Sequence, residues 1–346
     1  MTLFRWLLLI IVMVALCGGL QAEPAQPEEE GIFDLVWPPK PMPTRIRYLN
    51  AIASFDDIKY EKGFWEKFWE TIRGEQQNNQ LKPTAVAVDD KGRMSVADPT
   101  GRLVHVYDQK TGGYWVIEEA DVPLVLPVGL AVDEKDNIYV SDGGLRRICV
   151  FTPKGEYLRS IGSAEQIERP TSIAIDRARR LLYVADTPAH TIRVFNLDSG
   201  ALIRNIGKRG REEGELNFPA YLFVGPNGNL HVNDALNGRI QVFDPEGRFI
   251  NTFGRFGDAS GTFATPKGIA VDSDGNIYVA DAGFDNIQIF SSQGRLLLDF
   301  GRSGQAPGEF WTPSGLYLDS KDQLYVADAY NRRIQIFQYV KIAVKQ

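Results

Sequence analysis

Six prolines, Pro83, Pro127, Pro170, Pro219, Pro266 and Pro313, recur 44, 43, 49, 47 and 47 residues apart. An aspartate follows each at an offset of 15 or 16: Asp98, Asp142, Asp186, Asp234, Asp281 and Asp328. Six residues beyond each aspartate stands a β-branched residue (Val104, Ile148, Ile192, Ile240, Ile287, Ile334), and three further an aromatic (Tyr107, Phe151, Phe195, Phe243, Phe290, Phe337). A register held six times at a period near 45 residues marks a repeat architecture, in which each unit buries its apolar faces against its neighbours.

Each period divides into four strands. In the fifth, Pro266 opens a strand at the position where a missing N–H does least harm. Ile269-Ala270-Val271 is wholly apolar and reads as buried on both faces. Asp272 to Asn276 is a turn, with Gly275 free to take positive φ. Ile277 to Ala280 is the second strand. Asn286-Ile287-Gln288-Ile289-Phe290 alternates polar with apolar and predicts a half-buried third strand. Arg295 to Phe300 is the fourth and outermost. Four antiparallel strands in each of six periods predict an all-β, six-bladed β-propeller, with blades starting near residues 83, 127, 170, 219, 266 and 313.

The stretches Pro266-Lys-Gly-Ile-Ala-Val-Asp, Gly275-Asn-Ile-Tyr-Val-Ala-Asp and Arg333-Ile-Gln-Ile-Phe resemble the NHL-repeat family. So do three loops of the form G-x-x-G-x-x-x-G-x-[LF]-x-x-P, at 207–219, 254–266 and 301–313. The resemblance spans about residues 83–340. It implies a toroid of about six blades that binds partners on one face.

The sixth period ends without a fourth strand. Arg47 to Ile52 resembles Arg248 to Phe253, a fourth strand, so residues 45–53 are expected to close the ring. Ahead of it, Arg5, the apolar run Leu7 to Leu16 and Ala22 predict a signal peptide over 1–22, with lipoprotein processing at Cys17 as the alternative. Residues 23–44, rich in Pro and Glu, read as an extended linker. Within 55–77, Phe64, Trp65, Phe68, Trp69 and Ile72 recur at helical spacing and predict a short helical insertion packed on the propeller.

Without residues 1–22 the chain carries 37 Lys and Arg against 44 Asp and Glu, a net of −7. That balance opposes the bulk phosphate contacts of nucleic-acid binding. Cys149 alone would remain, so no intramolecular disulfide forms.

In an up-down-up-down blade, the loops joining strands two and three share a face, the upper face, with the loops joining successive blades. Arg102, Arg146, His190, Arg255, Phe284, Arg302, Trp311 and Tyr330 are the binding candidates there, because arginine and aromatic side chains dominate protein-binding hot spots. The repeated aspartates read as structural acceptors for turn N–H groups. The first strands should line the central channel. They contain no His, Asp, Glu or Asn, so neither a metal nor another cofactor is expected there. These features favour a non-catalytic exported scaffold, periplasmic or envelope-associated, that binds an envelope protein, peptide or glycan. A lyase or hydrolase with an unplaced metal site and a sensory module of an envelope complex stand as alternatives.

Overall fold

The computed structural model describes residues 35–53 and 81–341. The expected signal peptide, most of the linker and the helical insertion over 55–77 lie outside these residues. The described chain forms six antiparallel sheets arranged as blades, and a single 3-10 turn at Ala235–Asn237 is the only helix-type element assigned among the described residues. In five blades the four strands follow in chain order.

The sixth blade is built from both ends of the chain. Its strands run in the order Val36–Trp37, Ile46–Ile52, Arg333–Tyr339, Gln323–Asp328 and Pro313–Leu318. Ile46 stands opposite Tyr339 and Ile52 opposite Ile334, with a bulge between Tyr48 and Asn50. The N-terminal strand thereby covers an edge that the C-terminal strand would otherwise leave unpaired. The reading of 23–44 as linker runs too far at its C-terminal end. Val36 and Trp37 add a fifth strand, and Tyr48 N–H donates to the Leu35 carbonyl. Trp37 packs against Phe300 and Phe337, with ring centroids 5.4 and 5.9 Å away, and a Cβ on Gly308 would lie only 2.6 Å from its ring. Proline density alone did not reveal that the Val-Trp pair carries enough apolar surface to dock.

The core lies between blades. In blades two to six the first strand begins at its proline with an irregular pairing, seen between Pro266 and Ile269 and between Pro313 and Leu316, whereas in blade one it begins at Ala85 in regular register. Two residues after the proline, five blades carry Ala85, Gly129, Ser172, Gly268 or Gly315. Backbones of neighbouring blades meet there: a Cβ on Gly129 would fall 2.3 Å from the Thr171 carbonyl oxygen, and one on Gly268 2.3 Å from that of Ser314. Small residues at this position let the strands converge on the axis.

The third strands depart from expectation. They are not half-exposed; Gln241, Gln288 and Gln335 are fully buried. The Gln288 side chain accepts from Gly261 N–H and donates to the Thr262 carbonyl, and Gln335 treats Gly308 and Glu309 the same way. The polar residue of the alternating pattern faces an inter-blade loop instead of water, so its hydrogen bonds are satisfied inside.

Candidate functional site

The upper face is organised by the six repeated aspartates, all buried. Asp142 accepts from Val125 and Leu126 of the incoming inter-blade loop and from Gly144 and Leu145 of its own turn, at 2.8–3.0 Å. Asp281 does the same with Ala264, Thr265, Gly283 and Phe284. Arg193, Arg239 and Arg333 add Nε–H bonds to Asp186, Asp234 and Asp328. One carboxylate thus joins two loops of a blade. In blade one, burial would raise the Asp98 carboxyl, but the neighbouring His105 ring, 3.7 Å away, and bonds from the Gly101 and Lys82 amides hold it below the ordinary carboxylate range.

Four residues after each aspartate the backbone turns left-handed: Arg102, Arg146, His190, Asp285 and Arg332 have φ of 52–58°, and Gly238 fills the same place in blade four. Three of the eight binding candidates therefore mark a turn position of the repeat. The Arg146 guanidinium is committed to the carbonyls of Ile167 and Ala164. His190 is buried, accepts from Phe218 N–H through Nδ1 at 3.3 Å, and meets the Phe218 ring edge to face at 4.5 Å. Arg102 is exposed.

The remaining candidates lie on blades four to six or on the loops leading to them. Arg255 is exposed beside Phe256, which is itself 52% exposed. Arg302 bonds Glu309 at 2.8–2.9 Å and holds that carboxyl below its usual range. Phe284 is half-buried on the loop whose Asp285 accepts from Thr312 N–H, next to Trp311. Trp311 and Tyr330 stack at 5.4 Å and are 45% and 64% exposed. With exposed Leu236, they form an Arg-and-aromatic surface across blades four to six. Of fourteen exposed large apolar residues among those described, seven lie in upper-face loops: Val122, Val125, Leu126, Leu236, Phe256, Trp311 and Tyr330. Of the other seven, six lie on fourth strands at the rim, and Met42 lies in the turn between Trp37 and Ile46 on the opposite face.

The channel is a cavity of about 900 Å³, lined by all six first strands. It runs to the turns between strands one and two, on the face opposite the candidate loops. Arg177 of blade three reaches over this mouth. It donates to the Val132 carbonyl of blade two and, through Nη1, to both Asp90 oxygens of blade one at 2.9 and 3.0 Å. Tyr317 donates to the Val88 carbonyl at 2.8 Å. Tyr221 has no hydrogen-bond partner among the described residues, and burial pushes its phenol up to about 12. Reading only the first strands for metal ligands passed over these residues. A signal for Tyr221 was in the repeat: it alone is large where the other five blades carry Ala, Gly or Ser.

Six blades, latched by buried aspartates and closed through the N-terminal strand, define a six-bladed repeat propeller. The NHL-repeat family profile matches residues 263–290 and 310–337, the last two blades. With the same register running through the other four, the chain is a member of the NHL-repeat propellers. Among solved structures it is similar to a catalytically inactive Staphylococcus aureus virginiamycin B lyase with quinupristin (15% identity, TM-score 0.57, covering 77% of this chain and 83% of that one). It is also similar to a gluconolactonase from Xanthomonas campestris (18%, 0.58, 75% and 86%). A third match is a Bacteroides thetaiotaomicron protein of unknown function (17%, 0.60, 75% and 70%). At these identities the likeness is one of fold.

Proposed function

We propose that this propeller is a non-catalytic exported scaffold that binds an envelope protein, peptide or glycan through its upper face. The observation that carries the reading is the set of exposed apolar side chains in the upper-face loops, among them the stacked Trp311–Tyr330 pair and Phe256 beside the exposed Arg255. Aromatic and arginine side chains on a rigid frame lose little conformational entropy on binding, which is why such groups dominate interface energetics. Export rests on the charged and apolar pattern of residues 1–22. The enzymes of this fold named above act on small molecules, and the exposed apolar loops here favour a macromolecular surface.

The test is cross-linked capture from the native envelope with the unaltered protein and with a Phe256→Ala, Trp311→Ala, Tyr330→Ala variant. One envelope component enriched by the first and reduced at least tenfold with the second, at unchanged melting temperature, supports the reading. Equal capture by both, or no enrichment by either, removes this face as the binding surface.

A further inference from the structure

The channel has a chemistry of its own, distinct from the upper face. Its ionisable acidic and basic lining residues are confined to one mouth, at the ends of the first strands and the turns that follow: Asp89, Asp90, Asp176, Arg177, Asp272 and Asp319 among them. Most are already engaged there. Asp89 bonds Arg93, Asp90 bonds Arg177 and Asp176 bonds Arg179 at 3.0 Å, while Asp272 and Asp319 accept from the N–H groups of their own turns. Deeper in, the lining is aliphatic: Val88, Val132, Ile175, Val224, Val271 and Leu318 stand at one level, one per blade. A charged group drawn past the mouth would lose its hydration with no counter-charge to meet it.

Uncharged polar groups do reach the cavity. Each first strand pairs only with its second strand, so its other edge turns backbone N–H and C=O groups toward the axis. Sixfold repetition is broken by Tyr221 and Phe223 of blade four and Tyr317 of blade six, which replace small residues of the other blades. Tyr317 is tied to the Val88 carbonyl, whereas the Tyr221 hydroxyl has no partner among the described residues. Aromatic walls, aliphatic levels and one unpaired phenol hydroxyl suit a flat, partly apolar body carrying a hydrogen-bond acceptor. A volume of about 900 Å³ lies within the usual range of about 300–1,000 Å³ for small-molecule pockets.

We infer that the channel is a binding site for an uncharged, largely apolar organic molecule bearing a carbonyl or similar acceptor, which takes a hydrogen bond from the Tyr221 hydroxyl. The test titrates the full chain with 6-propionyl-2-dimethylaminonaphthalene, a neutral ketone whose emission reports both polarity and hydrogen bonding. The expected result is saturable binding of about one probe per chain. Tyr221→Phe weakens it about fivefold, the worth of one neutral hydrogen bond. Val224→Trp, which fills the channel, abolishes it; Leu318→Trp serves as a second block if the first variant melts early. The anion 2-naphthoate binds at least tenfold more weakly than the ketone. The inference is overturned if the probe fails to saturate, if Tyr221→Phe and both tryptophan variants bind it unchanged, or if 2-naphthoate binds as well. Loss of binding with Trp311→Ala would place the probe on the upper face and equally overturn it. Failure here leaves the upper-face scaffold untouched, because the two sites share no residue.

Discussion

His231 lies in the second strand of blade four, where blades two, three, five and six carry Tyr139, Tyr183, Tyr278 and Tyr325. Tyr139 and Tyr278 bond the aspartates of their preceding turns, Asp133 and Asp272; in blade four that aspartate is Gly225. The histidine is 5% exposed, its buried Nδ1 has no hydrogen-bond partner, and burial pushes its pKa down to about 4 from 6.5. Between these two values the unfolded chain holds a proton at His231 that the folded chain does not. Stability therefore falls as pH drops from about 6.5 toward 4, by up to about 3 kcal/mol at 1.36 kcal/mol per pKa unit, and is unaffected by this group above pH 7. Denaturant titrations of the protein and of His231→Leu at half-unit steps from pH 7.5 to 4 isolate the effect, since the carboxylates titrate in both. The difference in unfolding free energy between the two should change by about 2–3 kcal/mol across that window. Parallel curves would show that the ring is protonated in the fold and would refute the argument from desolvation.

Two further outcomes follow from the latches. Asp281→Ala leaves the Ala264, Thr265 and Gly283 amides without their acceptor and should cost about 3–5 kcal/mol, read as a shift in denaturant midpoint at unchanged slope. Deleting Ile46–Ile52 strips the pairing from Arg333–Tyr339 and exposes a strand edge beside the join of the ring. Cooperative unfolding of the whole domain at a sharply lower temperature is expected by calorimetry, and an unchanged transition would show that the ring closes without that strand.

Much of the fold was legible in the chain itself. The Pro-to-Asp spacing, the alternation within each period and the likeness of Arg47–Ile52 to Arg248–Phe253 are local patterns, governed by turn chemistry and by a side-chain period of two. The structural role of the six aspartates could be read for the same reason, since half of their hydrogen bonds go to amides two or three residues away. The candidate surface was legible only in part. Arg255, Trp311 and Tyr330 are exposed as their loop positions imply, whereas Arg146 and His190 occupy the left-handed turn position and are spent on neighbouring loops.

What the sequence determined by itself is the unit, its number and the order of its strands, because these follow from contacts within one period. Tertiary structure alone decided what meets across units. The burial of Gln288, the docking of Trp37 over Gly308, and Arg177 reaching Asp90 across 87 residues all depend on how one blade face lies on the next. No local pattern encodes that distance, since convergence on a common axis brings together residues whose separation along the chain is set by whole blades.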